Sequence, residues 1–252
     1  MTTPVFLSPA LPSELLSYIL DHHAYPTTLI ICSSQADFLT SLAEDIRSQS
    51  RKNTRNTTEE QEQREREPSQ SQDHVDNKDA EVKHALLSSP LHQIAISRHI
   101  RVIYVPTVTH LRAYLSVFSP DESRVPPPPT TSALTREDGK PPHVIVYGFL
   151  KLHRDTSEWS AQGLSNTTST IVELAHRLSW KALLVEPAGE PHDLALEELL
   201  QETVPILNGG ARRLGPNFEE GAWSGRTVEV GRILGRWFRF QRAQWNIGDS
   251  DN

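Results

Sequence analysis

The sequence contains a single cysteine, Cys32, among 252 residues, and it has no long apolar run. One thiol excludes a disulfide framework within the chain, which favours a reducing compartment. No apolar run approaches the roughly 18 residues that a membrane-spanning helix requires. The stretch from Met1 to Pro12 has no basic residue, unlike a secretory signal. These absences predict a soluble protein of the nucleus or cytosol.

The chain also lacks an excess of positive charge and the residue clusters of metal or hydrolase sites. It has 25 Lys and Arg against 32 Asp and Glu, for a formal net charge of −7. This balance excludes a global attraction to nucleic acid but leaves room for a local basic patch. His22 and His23 have no Cys or carboxylate at ligand spacing, and no Gly-x-Ser-x-Gly motif is present. We predict no metal site and no catalytic residue.

Glycines are missing where a nucleotide-binding α/β protein needs them. The residues that follow a predicted strand over 27–32 are Ser33, Ser34, Gln35, Ala36 and Asp37. A phosphate loop would place glycines and a Gly-Lys-Ser/Thr run there. The sequence therefore predicts a degenerate phosphate loop and no bound cofactor. Two interpretations stay open: the turn binds a phosphate through helix N-terminal amides, or Ser33, Ser34 or Asp37 simply caps the helix.

An acid is missing from the end of another predicted strand, 143–148. Its apolar run Val144-Ile145-Val146 is typical of a buried parallel strand. In nucleotide-hydrolysing α/β proteins such a strand ends in an Asp that holds magnesium. Tyr147 stands at that position, and a neutral phenol is a poor ligand for a hard cation. The substitution predicts that the chain is not an enzyme. Glu186, after a further predicted strand, either belongs to a ligand site at the carboxyl edge of the sheet or only ends the strand.

Strands and helices alternate along the chain. Predicted strands cover 27–32, 100–105, 143–148 and 180–185, and a helical pattern over 35–47 lies between the first two. The alternation predicts an α/β fold with a mostly parallel sheet and helices on both faces.

Two polar segments interrupt the single domain that we predict over 1–252. The segment 48–81 has no large apolar residue before Val75, so it cannot offset the entropy of ordering and is predicted to be a disordered insertion. An exposed charged helix over 58–67 is the alternative. The Pro-rich loop 119–142 contains four consecutive prolines, which cannot join the interior of a sheet.

Arginines and aromatic residues concentrate near the end of the chain. The arginines are Arg212, Arg213, Arg226, Arg232, Arg236, Arg239 and Arg242, and the aromatics are Trp223, Trp237, Phe238, Phe240 and Trp245. Arginine neutralises phosphates and aromatic faces stack on bases, so this tail is predicted to bind DNA or a protein partner. The alternative is that Trp237 and Phe238 are core residues and that the arginines solvate a helix or pair with Glu219, Glu220 and Glu229. Locally the pattern fits a helix over 226–237 or a strand from 227, then an edge strand over 238–245.

Four pieces occur in one order: a strand with a worn phosphate loop (29–37), a strand-Pro-Thr-helix unit (100–118), a strand-Tyr-Gly-Phe unit (143–152) and the tryptophan-rich tail (223–245). The most specific is Ile100-Arg101-Val102-Ile103-Tyr104-Val105-Pro106-Thr107. Together they resemble the RecA-like recombinase paralogues of the Shu complex, above all the ATPase-like subunit that partners a SWIM-type zinc-finger protein. Some members of that group keep the phosphate loop and an Asp-Gly-Leu; this sequence has Tyr147-Gly148-Phe149 instead.

The resemblance implies a RecA-like fold and a nuclear role in homologous recombination and DNA repair. The implied role is to assist recombinase filament assembly on single-stranded DNA, with a SWIM-type zinc-finger protein and recombinases or their paralogues as partners. Two alternatives remain: a RecA-like subunit of another hetero-oligomer such as the Elongator accessory ring, and a divergent nucleotide-binding ATPase.

Overall fold

A computed structural model describes residues 3–22, 24–64, 85–88, 90–120, 141–188, 196–207 and 226–245. The strands are β1 Val5–Leu7, β2 Thr27–Ile31, β3 Ile100–Tyr104, β4 His143–Tyr147, β5 Lys181–Val185, β6 Thr203–Pro205, β7 Thr227–Glu229 and β8 Arg239–Gln241. The helices are α1 Pro12–Asp21, α2 Gln35–Arg64, α3 Ala85–Ser88, α4 Leu91–Ser97, α5 Val108–Val117, α6 Phe149–His153, α7 Ala161–Leu178, α8 Leu196–Gln201 and α9 Val230–Leu234.

Six strands form one sheet in the order β3-β2-β4-β5-β1-β8, and every neighbouring pair is parallel. Strands β6 and β7 form a separate antiparallel pair. Parallel strands need crossover connections, and helices supply them here. The predicted α/β class, with its mostly parallel sheet, is confirmed.

Helices cover both faces of the sheet, and alternate residues of each strand enter different cores. Phe6, Ile30 and Val146 pack with helices α5, α7, α8 and α9. Their strand neighbours Val5 and Ile31 pack with α1 and the start of α2. This is the alternation that a strand buried on both faces produces. Two separate apolar layers therefore hold the sheet between them.

The segment predicted to be a disordered insertion, 48–81, is helical over its first part. Helix α2 continues through Arg64, so residues 48–64 belong to the end of this helix. The physical reason is that no glycine or proline occurs between Gln35 and Glu67, and Gln, Glu, Arg and Lys are good helix formers. The rest of that segment, the core of the Pro-rich loop over 121–140 and His23 lie outside the described residues.

The sequence pattern of the tail left open a helix or a strand, and the structure contains both. A short strand, β7, pairs with β6, and the chain then enters helix α9. The predicted edge strand is β8, which is shorter than expected and pairs with β1. No helix in the described part of the chain is long and apolar enough to cross a membrane.

Candidate functional site

The turn predicted to be a worn phosphate loop caps helix α2. The Ser34 hydroxyl accepts a hydrogen bond from the Asp37 amide at 3.1 Å, and it donates to the Asp37 carboxylate at 2.6 Å. The Ser33 hydroxyl donates to the Ser34 carbonyl at 3.3 Å, while Gln35 and Ala36 are exposed. A serine that accepts from the amide three residues on is a helix N-cap. The geometry thus agrees with the capping interpretation, with Ser34 as the cap.

The sequence pattern did not reveal strand β1. The strand over 27–31 is therefore the second strand along the chain rather than the first. Strand β1 leads into α1 on one face, whereas its neighbour β5 leads towards α8 and α9 on the other face. Neighbouring strands whose connections leave on opposite faces create a crevice at the carboxyl edge, where ligands of open α/β sheets bind. In this fold a phosphate site would therefore be formed by the residues that follow β1.

Main-chain hydrogen bonds close that crevice. The Ala10 amide donates to the Glu186 carbonyl at 2.9 Å, and the Ala188 amide donates back to the Ala10 carbonyl at 2.9 Å. The Tyr147 hydroxyl also donates to the Ala10 carbonyl, at 3.0 Å. Ala10 is fully buried. The chain that follows β1 thus runs along β5 and fills the space between the two strands.

Internal carboxylates occupy the amides at the start of helix α1. The Leu11 amide donates to Glu14 at 2.8 Å, and the Ser13 amide donates to Asp45 of α2 at 2.9 Å. Pro12, between them, has no amide proton. The first amides of a helix attract anions because they lack partners within the helix. Here they have partners from the protein itself.

Glu186 likewise bonds the amides at the start of helix α6. Its buried carboxylate accepts hydrogen bonds from the Leu150 amide at 2.7 Å and the Lys151 amide at 3.3 Å. Burial raises the pKa of this carboxyl to about 7, although the two amide bonds pull it down. The nearby Cys32 thiol has its pKa raised well above the usual value, by burial first and by Glu186 second. Glu186 therefore does more than end β5, because it fixes the start of α6.

Tyr147 stands where the sequence analysis expects a magnesium-binding acid to have been lost. Its side chain packs into the interior. Its ring meets the Phe38 ring edge-on with centroids 6.1 Å apart. Burial raises the pKa of its hydroxyl well above the usual value, and Glu186 raises it further. The group thus stays protonated and donates to Ala10. It acts as a packing and hydrogen-bonding residue at the carboxyl edge.

The arginine-rich tail is only partly one cluster. Arg236, Trp237 and Arg239 lie within four residues and are exposed, Trp237 by 37%. Arg226 and Arg232 are also exposed but precede β7 and lie in α9, respectively. Predicted members of the tail that lie outside the described residues are Arg212, Arg213, Trp223, Glu219 and Glu220.

Other tail residues are engaged in contacts within the protein. Arg242 forms an ion pair with Glu197 at 2.6 Å, rather than with the predicted Glu229. The Trp245 indole donates to the Ser8 hydroxyl at 3.1 Å and packs edge-on against Tyr18. Phe238 is buried, and Phe240 packs edge-on against Phe6. The core interpretation is therefore correct for Phe238, whereas Trp237 is exposed.

Asp45 is a site residue that the sequence interpretation missed. Asp45 is buried, with 6% of its surface exposed, and it also accepts a hydrogen bond from the Gln49 side chain at 2.9 Å. A signal existed in the sequence, because Asp45 follows Phe38 by seven residues and Leu42 by three. It therefore falls on the apolar stripe of α2, where an acid needs a buried partner. Among the described residues, no group of three or more His, Cys, Asp or Glu could hold a metal ion.

Comparison with known proteins adds little to this geometry. No protein-family model matches the chain, and no curated protein matches it. Among solved structures, the chain is similar to a DnaB-like replicative helicase whose structure was determined with its interactions with primase. The identity is 9% and the TM-score is 0.36, over 75% of this chain and 40% of the helicase chain. The chain thus spans about two fifths of that helicase chain, and the strand order is the basis for the α/β class.

Proposed function

We propose that this chain is a non-catalytic RecA-like subunit of a Shu-type complex, which promotes homologous recombination by assisting recombinase filament assembly on single-stranded DNA. The observation that carries the non-catalytic part is the occupied carboxyl edge. Glu14, Asp45 and Glu186 bond the helix amides that a phosphate would use, and Tyr147, where the sequence predicts the loss of a magnesium-binding acid, donates to the Ala10 carbonyl. A domain with this edge closed acts through its surfaces.

The proposed partners follow from the sequence resemblance. They are a SWIM-type zinc-finger protein and a recombinase or recombinase paralogue, and the proposed compartment is the nucleus.

The test is recovery of partners from the native cells. The tagged full chain is purified after nuclease treatment, so that DNA cannot bridge proteins, and bound proteins are identified by mass spectrometry against an untagged control. Recovery of a SWIM-type zinc-finger protein together with a recombinase or its paralogue supports the proposal. Recovery of transfer-RNA modification subunits instead would reassign the chain to a complex of the Elongator type, and the recombination role would be abandoned.

A further inference from the structure

We propose that Lys181, Arg236, Trp237 and Arg239 form one surface at the amino edge of the sheet, here called the amino-edge patch, and that it binds single-stranded nucleic acid. This proposal rests on the proposed function, because it names where such a subunit contacts DNA. It places the contact at the edge of the sheet opposite to the closed carboxyl edge. It also adds Lys181, which is distant in sequence from the arginine-rich tail.

The strand register brings Lys181 and Arg239 together. Val5 of β1 pairs with Leu183 on one side and with Arg239 on the other. In-register parallel neighbours share a face, and Lys181 shares a face with Leu183 because side chains alternate with a period of two. Strand spacing then puts the Cα atoms of Lys181 and Arg239 about 12 Å apart. Lys181 and Arg239 therefore lie on the same face of the sheet, each at the start of its strand.

Helix α9 ends in a way that exposes Trp237. The amides of Trp237 and Phe238 both donate to the Leu234 carbonyl at 2.9 Å. Phe238 is buried and anchors the turn, whereas Trp237 is 37% exposed between Arg236 and Arg239. The Arg239 amide donates to the Pro4 carbonyl at 3.0 Å, which fixes the start of β8. The exposed indole therefore lies in a well-anchored turn, directly after Arg236 and two residues before Arg239.

Among the residues that the structure describes, no ion pair compensates the positive charge of the patch. Among the described residues, the ion pairs of arginines are Arg112 with Glu158, Arg154 with Glu202, Arg177 with Glu173 and Arg242 with Glu197. Lys181, Arg236 and Arg239 take part in none of them. A helix C-terminus attracts cations, which accounts for Arg177 near the end of α7. It does not account for Lys181 and Arg239, which start strands.

Single-stranded nucleic acid is the ligand that fits both features. A cationic patch on a chain of net charge −7 selects a polyanion, and arginine matches phosphate geometry. An indole face stacks on an unpaired base, a contact that a duplex does not offer and that an acidic peptide does not use. The patch thus combines backbone neutralisation with base stacking.

The test measures binding of fluorescein-labelled oligothymidylate, about 20 nucleotides long, to the full chain by fluorescence anisotropy. The test variant is R236E/R239E. The matched control is R47E/R51E, which changes the same charge at two exposed arginines of α2. We expect the test variant to lose affinity about tenfold or more and the control to stay within about twofold of wild type. Circular dichroism confirms that each variant is folded.

A second variant separates stacking from charge. Trp237→Leu leaves the charge intact and should weaken binding severalfold without changing its salt dependence, whereas Trp237→Phe should retain much of the affinity. No binding by the wild type, or an equal loss in both double variants, would overturn the proposal. Equal competition by polyglutamate would assign the patch to an acidic protein instead. Recovery of the proposed partners by R236E/R239E, which is measured separately, reports on the proposed function.

Discussion

Glu186 is a residue whose chemistry depends strongly on its surroundings. Its carboxyl is buried, it bonds the first amides of α6, and its pKa is raised from 4.5 to about 7. Lys151 of α6 and Arg154, which follows that helix, lower this pKa by less than burial raises it. The folded protein therefore binds this proton more tightly than the unfolded chain does. Protonation of Glu186 stabilises the fold.

Replacing Glu186 by Gln is expected to remove a pH dependence of stability. Because the folded pKa is raised, the stabilisation is fully present below pH 4.5 and is lost as the pH rises towards about 7. At about 1.4 kcal/mol per pKa unit, the loss amounts to roughly 3 kcal/mol. Urea unfolding of wild type and E186Q at a series of pH values from 4.5 to 8 measures it.

Comparing the two proteins cancels groups that titrate in both of them. The free energy of unfolding of the wild type should fall relative to E186Q across this range, and the two curves should run parallel above about pH 8. A glutamine oxygen can still accept from the Leu150 amide, so the variant is expected to fold. Parallel curves over the whole range would show that Glu186 does not titrate between those values.

At the scale of the elements, Arg112 joins helix α5 to the start of α7. Its guanidinium donates to the Thr167 hydroxyl at 2.9 Å, to Glu158 at 2.6 Å and to the Gly163 carbonyl at 2.9 Å. The fully buried His153 of α6 bonds the same hydroxyl at 3.0 Å. Arg112 thus links α5 to α7 directly, and the Thr167 hydroxyl links both to His153 of α6.

Replacing Arg112 by Met should destabilise the protein by about 2 kcal/mol, because charge-assisted hydrogen bonds are lost and part-buried acceptors are left without a donor. The matched control is Arg177→Met. That arginine forms an exposed ion pair with Glu173 at 3.2 Å, so its removal should cost less than about 0.5 kcal/mol. Equal costs, measured by urea unfolding, would contradict a structural role for the Arg112 contacts.

The elements with strong local signals were predictable from the sequence. The apolar runs of β2, β3, β4 and β5 were placed to within a residue or two because four or five consecutive residues are apolar or β-branched. The strand-Pro-Thr-helix unit over 100–118 is also present, with Thr107 as the cap of α5, and its hydroxyl accepts from the His110 amide at 3.2 Å. These features depend on residues that are near one another in the sequence.

Features that depend on distant residues were not predictable. Strand β1 has three residues, too few to show a period, and it is a strand because β5 and β8 flank it. The bonds from Asp45 and Glu186 to helix amides join residues 32 and 36 positions apart, so no local pattern encodes them.

For the whole molecule, the two edges of the sheet differ in what they offer a ligand. The carboxyl edge is filled by the protein's own groups: Ala10 between β1 and β5, carboxylates at the starts of α1 and α6, and Trp245 against Ser8. The amino edge carries exposed cations and an exposed indole. We therefore expect the chain to respond to a polyanion and not to a nucleotide.

Adding magnesium and ATP should leave the thermal midpoint of unfolding unchanged. A nucleotide present at 100 times its dissociation constant would stabilise the fold by about 2.7 kcal/mol, which raises Tm by roughly 5 to 10 °C for a domain of this size. To bind at the carboxyl edge, its phosphates would have to displace Asp45 from the Ser13 amide and Glu186 from the Leu150 amide. Each displaced carboxylate would then lie buried with one hydrogen bond fewer, which costs more than the new contact returns.

Differential scanning fluorimetry with ATP and with ADP, each with and without magnesium, makes the comparison, and oligothymidylate serves as the polyanion in parallel. A saturable rise in Tm with magnesium and ATP would contradict the closed-edge interpretation and favour a divergent ATPase. A rise in Tm with oligothymidylate alone would fit a carboxyl edge that is closed by internal hydrogen bonds and an amino edge that is open to a ligand. A nucleotide has a triphosphate and a single base, whereas an oligonucleotide spans several cations and the indole at once. That difference in reach is the physical reason why the same fold can reject the first and bind the second.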